Sequence, residues 1–241
     1  QGSGCGGSTR GFSFGGEDSP HTNAIEYFDF QTKGNGADFG DLTAAKRGPA
    51  GASNETRGLN FGGRTDPNDL DVIEYWVIAT LGNASDFGDI NEGTINSCAA
   101  TAGQTRAVKF GGRRGGSSSD DMEYITIAST GNATDFGTLT APKERMGALA
   151  STTRAVYGGG NSTQAPTVTN VIEYITIAST GDDTDFGDLT VARRLDTGAL
   201  SNNIRGVFGG GYANVATGVT MDYITIASTG NATDFGDMTS S

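Results

Sequence analysis

A unit of about 48 residues is repeated five times along the chain, and the five copies use up nearly all of its 241 residues. The best-kept stretch reads Ile-Glu-Tyr, a Thr/Ile-rich run, then Asn-Ala-Thr-Asp-Phe-Gly. Its tyrosine recurs as Tyr27, Tyr75, Tyr124, Tyr174 and Tyr223, and its phenylalanine as Phe39, Phe87, Phe136, Phe186 and Phe235, always 12 residues later. Upstream of each tyrosine stands an arginine (Arg10, Arg57, Arg106, Arg154, Arg205), then an apolar run and a glycine pair that begins at Gly15, Gly62, Gly111, Gly159 or Gly210. A glycine-rich period of this length points to a closed array of repeats, because one copy cannot bury its apolar faces alone. One domain spanning 1–241 is therefore expected, with units at about 1–43, 44–91, 92–140, 141–190 and 191–241.

Each copy divides into four β-type segments separated by turn residues. In the fourth copy they are 147–151, 154–157, 171–179 and 184–189. Within the third of these, Val171, Ile175 and Ile177 fall on one face and Ile172, Tyr174 and Ala178 on the other. A sheet apolar on both faces must be covered on both. Stacking four-stranded blades around an axis supplies that cover. The first segment of every copy is built of small residues, as in 51–53 and 147–151, which suits the strand nearest a crowded axis. The expected fold is all-β, a five-bladed β-propeller with four antiparallel strands per blade.

The arginine, the small-residue strand, the apolar strand closing in a glycine pair, the Glu-Tyr strand and the last aromatic strand together resemble the kelch repeat, whose copies form propeller blades. Here Phe replaces the kelch Trp and the interval from Tyr to the aromatic is longer, so the chain is kelch-like. The wording Tyr-Ile-Thr-Ile-Ala-Ser-Thr-Gly-Asn-Ala-Thr-Asp-Phe-Gly, identical at 124–137 and 223–236, is similar to repeat proteins of marine tailed bacteriophages. Five units of this length also resemble the tachylectins, five-bladed sugar-binding propellers, in architecture but not in motif.

Composition narrows the function classes. A formal net charge of −12 opposes general attraction to nucleic acid or to anionic membrane. No apolar run approaches the roughly 20 residues that span a bilayer. A soluble chain with neither a nucleic-acid partner nor membrane insertion is expected. The sequence starts at Gln1, which suits a processed or excised product. Cys5 and Cys98 belong to copies that are not ring neighbours, and a disulfide needs Cα atoms within about 7 Å. Both are read as small buried residues.

In a propeller of this strand order, the loops between second and third strands share one face with the linkers between blades. Those loops differ in every copy: 17–22, 64–70, 113–120, 161–169 and 212–219. Variation on a rigid scaffold marks a binding face, although unconstrained drift reads the same way. The residues unique to single copies, His21, Arg64, Arg113, Arg114 and Tyr212, are the candidate ligand-binding set. Lys46, Arg47, Lys143, Arg145, Arg193 and Arg194 on the linkers, with Arg113 and Arg114, gather half of the 16 basic residues on this face. Arginine suits carboxylates and phosphates because its planar fork binds them bidentately. Arg47, Arg145 and Arg194 are alternatively expected to pair with Glu26, Glu74, Glu123, Glu173 and Asp222 across blade boundaries.

On the opposite face Asp38, Asp86, Asp135, Asp185 and Asp234 recur. They are expected to accept N–H bonds within their own turns, in preference to ligating Ca²⁺. The sequons at Asn83, Asn132 and Asn231 are likewise read as turn chemistry. With a single histidine and two distant cysteines, zinc or copper chemistry has no ligand set, and no metal or other cofactor is expected. A glycosidase needs two carboxylates only, so that alternative stays open, as does a purely structural building block. The expectation is a non-enzymatic recognition or assembly module with no catalytic residues: a phage virion or tail-fibre component, virion-borne or extracellular. Its expected partner is a host surface glycan or another virion structural protein, and an oligomer or larger assembly is compatible.

Overall fold

Each repeat folds into one four-stranded antiparallel sheet, and the five sheets form a five-bladed β-propeller. The computed structural model describes residues 2–17, 20–164, 168–196, 198–213 and 216–239. Gln1, Thr197, residues 240–241 and parts of three variable loops, 18–19, 165–167 and 214–215, lie outside the described residues. Among the described residues there is no helix. The small-residue segments are the innermost strands: Ser3–Gly6, Ala50–Ser53, Ala99–Ala102, Gly147–Ala150 and Ala199–Ser201. All five line one axial cavity. Blade 3 has the longest strands, Arg106–Arg114, Ser117–Thr126 and Thr134–Lys143, which carry its loop out over the upper face. Blades 2 and 5 add small two-stranded ribbons there, Arg64–Thr65 with Asn68–Asp69 and Tyr212–Ala213 with Ala216–Thr217.

The repeated Asp-Phe-Gly has a mechanical reason. The third and fourth strands change register at this point in every blade: Glu26 pairs with Asp38 but Ile25 with Gly40, and Glu173 with Asp185 but Ile172 with Gly187. The phenylalanine is the extra residue of a β-bulge, which bends the strand and aims the ring at the next blade. The following glycine takes φ of +144° at Gly88, Gly137 and Gly187, a region that L residues with a Cβ avoid. A Cβ on Gly88 would also stand 2.5 Å from the Gly131 carbonyl of blade 3.

Four blade junctions are built alike. Phe39, Phe87, Phe136 and Phe186 are 2–3% exposed. Each ring sits edge-on to the tyrosine of its own blade, at 5.9 Å for Phe136 and Tyr124. Against it the next blade sets two apolar side chains, one near the end of its third strand and one just past it: Trp76 and Ile78, Ile125 and Ile127, Ile175 and Ile177, Ile224 and Ile226, all buried. Burying one such side chain stabilises by roughly 1.5–3 kcal/mol. The upstream arginine stacks on the tyrosine and donates across the junction to a backbone carbonyl: Arg10 to Ile78, Arg106 to Ile177, Arg154 to Ile226. The asparagine of the next blade's turn accepts from the strand beyond the bulge, Asn132 from Asp89 N and Asn231 from Asp188 N, both at 3.1 Å.

Blade 5 does not close on blade 1 in this way, contrary to the expectation of a sealed ring. Phe235 is 50% exposed, and Met238 and Leu200 of the same blade are 37% and 68% exposed. On the other side of the seam Phe28 and Phe30, at the positions of Trp76 and Ile78, are 44% and 55% exposed. They lie edge-on to each other at 5.7 Å over Gly11 of their own sheet. The recurrent aromatic is thus buried between blades in four copies and half exposed in the fifth, at Phe235.

Candidate functional site

The second-to-third loops and the inter-blade linkers do share one face. Isolated bridges join linker to loop in successive blades, Arg47 with Arg64, Asn96 with Arg113, Glu144 with Asn161 and Arg194 with Tyr212. A second belt of backbone bonds runs around the axis: Ser97 N to Gly48 O, Arg145 N to Ser97 O, and Leu195 N to Arg145 O, each 2.9 Å. Ser97, Arg145 and Asp196 have positive φ, the three non-glycine residues that do so among those described. Strained backbone of this kind collects where function constrains a chain.

At the mouth of the axis the belt and the loops surround a cavity of about 400 Å³, lined by Arg47, Arg64, Arg113 and Arg145 with Asp69, Asn96 and Ser97. Four arginines and one acid therefore line the cavity, and Arg47 Nη1 also reaches outward to Glu17 Oε1 at 2.8 Å. Asp69 is itself engaged, 2.9 Å from Arg64 Nη1 and 2.7 Å from Asn96 Nδ2. Arg64 Nε and Arg47 Nη2 converge on Asp66 Oδ1, and His21 Nε2 lies 3.0 Å from Asp66 Oδ2. Hydrogen bonds from Arg64 first, then Arg47 and His21, hold the Asp66 carboxyl far below its ordinary range. Arg145 is only loosely paired, its Nε 3.8 Å from Asp196 and 3.9 Å from Glu144. Among the described residues, the Arg113 guanidinium makes no hydrogen bond or ion pair. The Nε groups of Arg47 and Arg145 are buried without a hydrogen-bond acceptor.

The structure thus brings Arg64 and Arg113 into one mouth and places His21 on its rim through Asp66. Arg114 turns aside, 2.5 Å from Asp121 Oδ2 and 3.9 Å from Glu92. Tyr212 stands on blade 5 under the Arg194 guanidinium, 4.7 Å from its ring centre.

Two assignments reverse. Lys46, Lys143 and Arg193, counted toward a basic face, are buried at blade junctions and pair with Glu74, Glu173 and Asp222. The arginines expected to make those pairs, Arg47, Arg145 and Arg194, stand at or beside the mouth instead. Each lies one or two residues further along the linker, so the backbone turns it from the junction to the axis. Arg47 and Arg145 were set on this face by the sequence but kept out of the candidate ligand-binding set, and the structure adds both to the mouth.

On the far face, two of the five recurrent Asp residues make the expected local bond, and among the described residues Asp38, Asp135 and Asp185 make none. Asp86 and Asp234 accept from Gly88 N at 3.2 Å and Gly236 N at 3.1 Å. Among the described residues no group of three His, Cys, Asp or Glu side chains is placed to hold a metal. Cys98 is buried and Cys5 half-buried, and both thiols are free. Burial pushes them up to about 11 and about 12, which leaves them protonated and unreactive at neutral pH.

No family model matches the chain, and no curated protein matches it in sequence. The functional reading therefore rests on the geometry of the mouth and on the wording of the repeat.

Proposed function

We propose that the chain is a non-enzymatic recognition module whose axial mouth binds an anionic group carried by a surface glycan. The observation that carries this reading is the unpaired Arg113 guanidinium in a polar cavity shared with Arg47, Arg64 and Arg145. A planar fork that holds no carboxylate among the described residues is ready to donate to the oxygens of a carboxylate, sulfate or phosphate. Among the described residues the one carboxylate lining the mouth, Asp69, is bonded to Arg64 and Asn96, which favours holding a ligand over acid-base hydrolysis. The kelch-like order of motifs fits such a module. The resemblance of residues 124–137 and 223–236 to repeats of marine tailed phages suggests a virion or tail-fibre component that contacts a host surface.

The test is a glycan array of neutral, carboxylated and sulfated saccharides, followed by titration of the best acidic ligand. Arg113→Ala is expected to weaken binding at least tenfold with an unchanged melting temperature. Asp135→Ala, on the far face, is expected to leave binding intact. Selective binding of neutral sugars that ignores Arg113→Ala would overturn the reading.

A further inference from the structure

The exposed residues at the seam are the two halves of a blade junction, and an unpaired carboxylate shows which part is missing. In blades 2 to 5 the acid before the conserved tyrosine is buried: Glu74, Glu123, Glu173 and Asp222 are 0–3% exposed. Each is held by a cation. For three of them the cation comes from the preceding linker, where Lys46, Lys143 and Arg193 each stand three residues after a threonine. Thr43 and Thr190 themselves donate to Glu74 and Asp222. The linker before blade 3 has no such cation. There Lys109, from blade 3 itself, takes the place at 3.5 Å from Glu123, so the pair is kept even where its source moves. Glu26 of blade 1 is the fifth acid of the series. It is exposed, and among the described residues it has no cation and no hydrogen bond.

Blade 5 shows the reciprocal lack. A Cβ on Gly40, Gly88, Gly137 or Gly187 would strike the turn backbone of the following blade at 2.4–2.5 Å, whereas Gly236 has nothing within 4 Å. Arg205 stacks on Tyr223 at 4.4 Å like its counterparts, but no carbonyl from a following blade accepts from it among the described residues.

We propose that the seam is the seat of a sixth blade of the same repeat. Its third strand would set an Ile-x-Ile pair against Phe235. Its own Phe-Gly bulge would face Phe28 and Phe30. Its outgoing linker, Thr-x-x-Lys or Thr-x-x-Arg, would bring a hydroxyl and a cation to Glu26. An intact second copy of this chain does not fit the seam. The inner strands of all five blades already surround one axial cavity, so a copy seated on blade 5 by the same rotation would drive its second blade into blade 1.

The experiment compares the 241-residue chain with one in which a copy of residues 147–196, a blade together with its Thr190 and Arg193 linker, is joined ahead of Gly2. A matched graft carries Thr190→Ala and Arg193→Met in the added copy only. The first graft is expected to melt at least 5 °C above the 241-residue chain, and the matched graft to lose most of that gain. Glu26→Gln is expected to be silent in the 241-residue chain and to lower the melting temperature of the first graft by several degrees. Equal melting of the two grafts would overturn the proposal. So would Glu26→Gln destabilising the 241-residue chain, which would mean that the five blades seal on themselves. A concentration-dependent dimer of the 241-residue chain, dispersed by Phe28→Ser, would overturn it in favour of a second copy.

Discussion

The four sealed junctions and the open seam carry the same local wording yet have opposite environments. Phe186 and Phe235 both follow Thr-Asp, precede Gly-Asp and lie 6.0 Å edge-on to their own tyrosine. One is 2% exposed and the other 50%. Nothing in the blade itself differs enough to explain this. What buries Phe186 is Ile224 and Ile226 on the neighbouring sheet. In a repeat array the intrinsic unit sets the shape of a blade, and the interface with the next unit supplies much of its stability.

The largest separation between the two regions is expected for the aromatic. Phe136→Ala removes a ring packed among Tyr124, Ile175 and Ile177 and is expected to cost about 3–5 kcal/mol, the range for large core truncations. Phe235→Ala, at a half-open position, is expected to cost under about 1.5 kcal/mol. Denaturant titration of both variants checks the pair, and equal losses would show that the seam is sealed in solution.

The acids should divide next, and here pH adds a second measurement. Lys143→Met strands Glu173 in a buried site, and breaking one partner of such a pair costs about 3–5 kcal/mol at most. Glu26→Gln is expected to stay within about 0.5 kcal/mol, as exposed substitutions do. For Glu74, burial pushes the carboxyl up, but the Lys46 ammonium and the donors of Lys46 and Thr43 outweigh it and hold it below the ordinary glutamate value of 4.5. A carboxyl depressed on folding contributes stability that is fully present above 4.5 and is lost as pH falls through its lower folded value. The melting temperature is therefore expected to fall on acidification below pH 4.5. Glu26→Gln should leave that acid limb unchanged.

How much of this was legible in the sequence depends on where each partner sits. The blade was readable because its determinants are local: the two-sided third strand around Ile172 and Ile175, the small inner strand, and the glycine pairs. The junction was readable in outline, since Phe136 had to be covered by something. The pairing of cations was not. Lys46 and Arg47 are adjacent and chemically alike, and only the turn of the linker sends the first into the junction and the second to the mouth. The convergence of Arg113 with Arg145 was hidden for the same reason, because the two come from different blades and meet only at the axis. The open seam was invisible, because exposure of Phe235 is a property of its neighbour.

The smallest expected difference concerns the stacked arginines, and it isolates what a junction adds to a contact that both regions share. Arg154 lies 4.2 Å over Tyr174 and also donates to the Ile226 carbonyl at 2.9 Å. Among the described residues, Arg205 keeps the stack over Tyr223 at 4.4 Å and has no partner across the seam. An exposed cation–π contact stabilises by about 0.5–1 kcal/mol. A hydrogen bond from a charged donor adds about 1.5 kcal/mol or more, and its loss leaves the carbonyl at the junction unsatisfied. Arg154→Ala is therefore expected to cost about 2 kcal/mol and Arg205→Ala about 0.5–1 kcal/mol. Lysine should discriminate further, since Arg154→Lys retains charge but not the planar fork that stacks and donates together. If Arg205→Ala proves as costly as Arg154→Ala, the stack alone carries the effect, and the bond across the junction contributes nothing measurable.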